Sequence, residues 1–153
     1  MMNAPKRRYT LRFADGHGPT YAYTLDGKLA TRTWARTDAN DNPLTTTYSY
    51  DAATGELISI DYADNTPDIS YTYTRTGQPA TVTDVVGTRT FAYNAQLQDV
   101  SETIVGGLYS KTLTRTYTGS GMKGRRLGLA VGGVSNYSYG YDVAGRLNQI
   151  TTP

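Results

Sequence analysis

Aromatic-x-Tyr recurs along this chain at Tyr21/Tyr23, Tyr48/Tyr50, Tyr71/Tyr73, Phe91/Tyr93 and Tyr139/Tyr141, with a weaker unit at Arg115/Tyr117. The second members stand at 23, 50, 73, 93, 117 and 141, so the spacings are 27, 23, 20, 24 and 24. A period of this length means stacked supersecondary units, each too small to bury its own apolar face. Residues two apart on a strand share a face, so each aromatic pair lies on one side of a sheet. Glycine follows the second aromatic by four residues at Gly27, Gly77, Gly121 and Gly145, and by five at Gly55. There it supplies the positive φ of a hairpin turn, with Asp26-Gly27 the strongest such signal. Leu29, Leu57 and Leu147 then start a return strand rich in β-branched residues. Asp41-Asn-Pro43, Asp64-Asn-Thr-Pro67, Val86-Gly87 and Gly106-Gly107 close the units. Each unit therefore reads as one β-hairpin, and six units make about twelve strands.

Composition decides whether such a chain folds. Leu, Ile, Val and Phe number 26 of 153 residues, or 17%, below the ~20% level associated with disorder. Against that stand 14 tyrosines, 25 threonines and a net charge of only +2, a composition suited to half-buried pleated surfaces. The fold class is all-β: tandem antiparallel hairpins in a curved open sheet. The length predicts a single domain over residues 1–153, with repeats at 20–47, 48–70, 71–90, 91–114, 115–136 and 137–153.

The motif itself resembles a known family. Tyr141-Asp142-Val-Ala-Gly145-Arg146-Leu147 is similar to the YD or RHS repeat, Tyr-Asp-x-x-Gly-Arg-Leu. Tyr50-Asp-Ala-Ala-Thr-Gly-Glu-Leu57 resembles it with one insertion, and Tyr23-Thr-Leu-Asp-Gly-Lys-Leu29 without the first aspartate. Asp84 to Tyr93 is similar to the family's spacer, and the likeness covers residues 20–150. Two departures stand out. Pro79 replaces the leucine of the third unit and Leu97 the glycine of the fourth, so looser turns or edge strands are expected there. The resemblance implies a segment of a hollow β-shell, as in toxin complexes, polymorphic toxins and teneurins, with an enclosed cargo domain in the toxin members. It implies secretion or a cell-surface setting as part of a larger protein. The family's self-cleaving aspartate segment has a pattern like Asp-Pro-x-Gly. This chain has no Asp-Pro pair, so neither that activity nor a cargo is expected of it.

Cysteine is absent, which excludes disulfides and thiolate chemistry. The N-terminus is basic, yet no apolar segment follows to make a signal peptide, and no apolar run is long enough to span a bilayer. Gly119-Ser-Gly-Met-Lys-Gly124 has the G-x-G-x-x-G spacing of dinucleotide sites, but glycine-broken, β-like sequence follows where that site needs a helix. A hairpin turn is the better reading. Asp38-Ala-Asn-Asp-Asn42 begins like a calcium loop but holds Pro43 and Ser49 where glycine and glutamate belong, so an Asx turn is expected. The single histidine, His17, sits between glycines, a poor support for catalysis. Asn136-Tyr-Ser138 is a glycosylation sequon. No cofactor or metal is expected, nor an enzyme.

Charge is segregated: +4 over residues 1–12, −7 over 13–102 and +5 over 103–141. Such asymmetry can mark a polyanion-binding patch. The alternative is that Lys111, Arg115, Lys123, Arg125 and Arg126 pair with the acidic middle, and strand alternation favours that. The aromatic rows with Trp34 form the second functional reading, a glycan- or polyanion-binding module. Twelve strands at ~4.8 Å span about 58 Å, and a sheet that wide curls, splits or closes. With open edges, it is expected to be a piece of a larger array or to associate with itself, pairing with further repeats.

Overall fold

The computed structural model describes residues 8–10, 18–106, 110–119 and 124–153. Every regular element among them is a strand. The chain divides into two compact units, residues 1–72 and 73–153.

The first unit holds β1 (Arg8–Thr10), β2 (Thr20–Tyr23), β3 (Leu29–Thr37), β4 (Pro43–Tyr50), β5 (Leu57–Tyr62) and β6 (Ile69–Tyr73), whose last residue crosses the boundary. Each pairs antiparallel with the next. The second holds β7 (Pro79–Asp84), β8 (Gly87–Tyr93), β9 (Asp99–Val105), β10 (Lys111–Tyr117), β11 (Arg126–Val131), β12 (Ser135–Tyr141) and β13 (Leu147–Thr151), again paired with their chain neighbours. Twelve of these strands are the arms of the six expected hairpins. The thirteenth, β1, pairs ahead of the first repeat, where the sequence shows only a basic end.

Register shows how so few aliphatic residues make a sheet. In the first unit Tyr21, Arg32, Thr46 and Tyr62 lie opposite one another across β2 to β5, and Tyr48 faces Ile60, which faces Ile69. One residue along, on the other face, run Ala22, Thr31, Thr47 and Asp61. The second unit repeats the division. Phe91, Glu102, Leu113 and Val131 share one face, while Thr81, Thr90, Thr103 and Thr112 form a row on the other. Alternation thus gathers most rings and long side chains on one face and most threonine hydroxyls on the other, with Thr46 an exception among the rings. Within the hydroxyl row, Thr103 and Thr112 hydroxyls lie 3.2 Å apart. Only Pro19, Ala30 and Thr46 are buried among the described residues. The tyrosine rings are half-buried against neighbouring side chains and not in a closed core.

Candidate functional site: the tyrosine junctions

The chemistry of the repeat concentrates where each hairpin turns. In the first turn the Thr24 N–H donates to the Lys28 carbonyl (2.8 Å) and the Gly27 N–H to the Thr24 carbonyl (3.1 Å). Thr74–Gln78, Asn94–Gln98 and Asp142–Arg146 make the same pair of bonds, and Asp51–Glu56 makes it with one residue more. The residue after the tyrosine adds a side-chain acceptor. Its oxygen takes the N–H four residues on at Thr24 (2.9 Å), Thr74 (3.2 Å), Asn94 (2.9 Å) and Asp142 (2.8 Å). Asp51 Oδ1 takes the N–H of Ala53 and Thr54 instead. Threonine and asparagine therefore do the work of the motif's aspartate, which matching to Tyr-Asp alone overlooks. A side-chain oxygen stands after the tyrosine in all six units, at Thr24, Asp51, Thr74, Asn94, Thr118 and Asp142, and that was the available signal.

The residue before the end of each turn is left-handed: Gly27 (φ 85°), Gly55 (75°), Gly77 (79°) and Gly145 (78°). In the fourth turn Leu97 adopts it too, at φ 62°. The expectation of a looser turn at Leu97 is corrected. Its bonds, 3.0 and 2.9 Å, match those of the glycine turns, and an exposed leucine bears the strain. In the fifth, the Thr118 N–H reaches the Arg125 carbonyl (2.9 Å) and Gly124 carries the positive φ. The turn is three residues longer than in the other units' common form. Gly121 and His17 lie outside the described residues.

Next to each turn the strands slip. Ala22 pairs with Thr31 but Tyr23 with Leu29, which leaves Ala30 as an extra residue on the return strand. The same one-residue bulge falls at Ile58, Val100, Leu127 and Asn148, always the residue just after the tyrosine's partner. A bulge bends the strand and interrupts its ladder. Adjacent hairpins part at this level. Ladders between them run no nearer than Thr31↔Thr47, Thr81↔Thr90, Ser101↔Thr114 and Gly128↔Ser138.

The tyrosine hydroxyl bridges that gap. Tyr50 donates to the Leu29 carbonyl (2.9 Å), Tyr93 to Pro79 (2.8 Å), Tyr117 to Asp99 (2.9 Å) and Tyr141 to Arg126 (2.8 Å). In every case the acceptor lies two residues beyond the last ladder pair and the tyrosine three. Each bond contributes roughly 1 kcal/mol net and supplies the contact that the diverging backbones no longer make. Pro79 is thereby an ordinary acceptor. The third turn, closed at 2.7 Å between Thr74 and Gln78, is no looser than its neighbours.

A second row of contacts runs in the opposite direction. The residue ending the turn reaches onto the next turn in four units: Lys28 Nζ lies 5.3 Å from the Tyr50 ring centre and over Gly55, and Arg125 lies 5.4 Å from the Tyr141 ring and over Gly145. Gln78 Nε2 donates to the Leu97 carbonyl at 2.8 Å, and Gln98 sits against Gly124. Glycine in these turns thus answers two demands, positive φ and room for the preceding hairpin's long side chain.

Of the remaining candidates, Trp34 is engaged within its own unit. Its indole N–H donates to the Thr46 hydroxyl (3.0 Å), and the Arg32 guanidinium lies 3.5 Å from its ring centre. A sugar stacking on that face must displace the guanidinium. Asp38 closes an Asx turn, accepting from the Asn40 and Asn42 N–H groups at 2.8 and 2.9 Å. Arg115 pairs with Asp99 (2.9 Å) and Glu102 (3.1 Å) with only 14% of its side chain exposed, so this part of the basic segment is neutralised by the acidic middle. Lys111 and Arg126 are exposed, and Lys123 lies outside the described residues. Hydrogen bonds hold several turn carboxyls below their ordinary range. Lys28 and Thr24 bring Asp26 to about 2. Backbone N–H groups at Arg146 and Thr54 lower Asp142 and Asp51, and the Asn42 amide lowers Asp38. Among the described residues no three metal-ligating side chains cluster.

The architecture is that of an antiparallel hairpin array. No family's sequence pattern matches the chain, and neither does any curated protein. Solved structures do match: a chain in a crystal structure of TcdB2-TccC3-Cdc42 superposes on 96% of this chain with a TM-score of 0.53 at 16% identity. The chain spans only 10% of that protein's length. At such identity the likeness concerns the fold.

Proposed function

We propose that this chain is a non-catalytic structural module, a run of YD-type hairpins in the wall of a larger RHS-like shell or surface protein that encloses or displays other domains in a secreted or cell-surface setting. The observation that carries the reading is the fourfold recurrence of the tyrosine-to-carbonyl junction. Side chains that would otherwise be free for chemistry are spent on joining one hairpin to the next. The likeness to a chain of the TcdB2-TccC3-Cdc42 complex supports a wall segment, since this chain's length corresponds to a small part of that protein.

Excision of one period tests it. Repeat arrays are sums of units and interfaces, so a unit removed in register leaves a smaller folded array. Deleting residues 94–117 joins Tyr93 to Thr118, so the Tyr93 strand enters the turn that leads to Arg126. That variant should keep its strand circular dichroism and unfold cooperatively at a lower temperature. Deleting 94–116 slips the register by one residue and sends rings to the hydroxyl face; it should not fold. Loss of structure in both, or in neither, contradicts the proposal.

A further inference from the structure

We propose that the outer edge of β13 is the acceptor half of a further tyrosine junction, fitted to the first strand of another tyrosine-anchored hairpin. The inference rests on the structural-module reading and adds atoms to it. Each described junction obeys one register rule. The accepting carbonyl belongs to the first residue of the return strand. The residue two further on pairs with the one three before the tyrosine, as in Thr31↔Thr47, Thr81↔Thr90, Ser101↔Thr114 and Gly128↔Ser138. The residue four further on pairs with the one five before it, as in Thr33↔Thr45, Thr83↔Thr88, Thr103↔Thr112 and Ala130↔Asn136.

β13 presents every acceptor element. Leu147 opens the return strand and the Asn148 bulge follows it, as Leu29 opens β3 ahead of the Ala30 bulge. Arg146 ends its turn with Nε 2.8 Å from Asp142 Oδ2, matching Lys28 Nζ, 2.8 Å from Asp26 Oδ2. The difference lies in cover. Lys28 lies over the Tyr50 ring and is 35% exposed, whereas Arg146 is 81% exposed; Leu147 is 51% exposed on a strand exposed along its whole length. The rule then specifies the partner. Its tyrosine donates to the Leu147 carbonyl, the residue three earlier pairs with Gln149 and the one five earlier with Thr151, and Arg146 covers the incoming ring. The occupant is thus a hairpin strand of this repeat's own kind, in contrast to an arbitrary edge-pairing peptide.

The test extends the full chain with a second copy of residues 132–151 placed after Thr152, in place of Pro153. Hydrogen exchange at the outward amides of residues 147–151 should slow at least about tenfold relative to the parent. Replacing the appended copy's counterpart of Tyr141 with phenylalanine should return about fivefold of that protection. Unchanged exchange, or equal protection with phenylalanine, overturns the inference. Should the extended chain misfold, a peptide of residues 132–151 added to the parent chain decides: saturable amide shifts confined to 146–151 support it, and none at millimolar peptide overturns it. Tyr50→Phe in the parent serves as the internal control. If that change lowers the melting temperature while the appended hairpin adds nothing, only the β13 assignment fails. If neither matters, the structural-module reading fails too.

Discussion

At the tyrosine end of the hairpins the same bonds recur from Thr24 to Arg146, while at the opposite end no two described connections are alike. Asp38–Asn42 is an Asx turn with Asp41 left-handed at φ 60°. Between β5 and β6 the Asp68 carboxylate accepts the Tyr62 N–H (2.9 Å). Val85 and Val86 alone join β7 to β8, with Asp84 opposite Gly87. Gly132–Val134 closes on Val131. The difference explains the uneven spacing of the tyrosines. The tyrosine-end turns add only one residue at Asp51–Glu56 and three at Thr118–Arg125, and the strands and far connections absorb the remaining differences. Surface connections tolerate such changes because little beyond their own ends depends on them.

Substitutions at the two ends can break this comparison. The largest effect is expected at Gly145→Val, where a β-branched side chain must adopt a left-handed backbone and occupy the space of the Arg125 guanidinium. A loss of about 2–3 kcal/mol is expected by chemical denaturation; Gly27→Val, with nothing near its missing side chain, should lose less. The far end has one rigid point. Gly87 and Gly106 pass so closely that a Cβ on Gly87 would strike the Val105 carbonyl. Gly87→Ala should therefore cost about 2 kcal/mol, and a neutral result would show that this end adapts even there.

Smaller changes probe the turns themselves. Leu97→Gly removes left-handed strain from an exposed side chain and should stabilise the protein by about 0.5–1 kcal/mol. A destabilised variant would mean that the Leu97 side chain holds its turn. Acid should act most weakly, because the turn carboxylates are exposed and solvent screens them. Their folded values are depressed, so the stability they contribute is full above about pH 4 and is lost as pH falls through the folded values toward about 2. The melting temperature should decline over that interval, and the decline should shrink in Asp142→Asn.

Much of this fold is legible in the sequence because its signals are side-chain signals. Aromatic parity sets the faces, glycine the turns, and the spacing the hairpins. The junctions are not legible, for a physical reason. Their acceptors are backbone carbonyls on residues as different as Leu29, Pro79, Asp99 and Arg126, and any residue offers a carbonyl. The bulges leave little mark either: Ala30, Ile58, Val100 and Leu127 are aliphatic, as many other strand residues are, and Asn148 is not. One clue was present. Across the six units the first aromatic position holds Tyr, Phe91 or Arg115, but the second holds only Tyr. No hydroxyl is required at the first position, and one stands at the second in every unit. The division into two units at residue 72 has no counterpart in the composition.

That contrast supplies the most direct test. Tyr139 and Tyr141 sit two residues apart on β12. The Tyr141 hydroxyl bonds the Arg126 carbonyl, and the Tyr139 hydroxyl has no hydrogen bond among the described residues. Removal of each hydroxyl in turn, followed by denaturant unfolding, should show Tyr141→Phe losing about 1 kcal/mol and Tyr139→Phe unchanged within about 0.3 kcal/mol. Equal losses, or a loss only at Tyr139, would contradict the claim that tyrosine hydroxyls join the repeats.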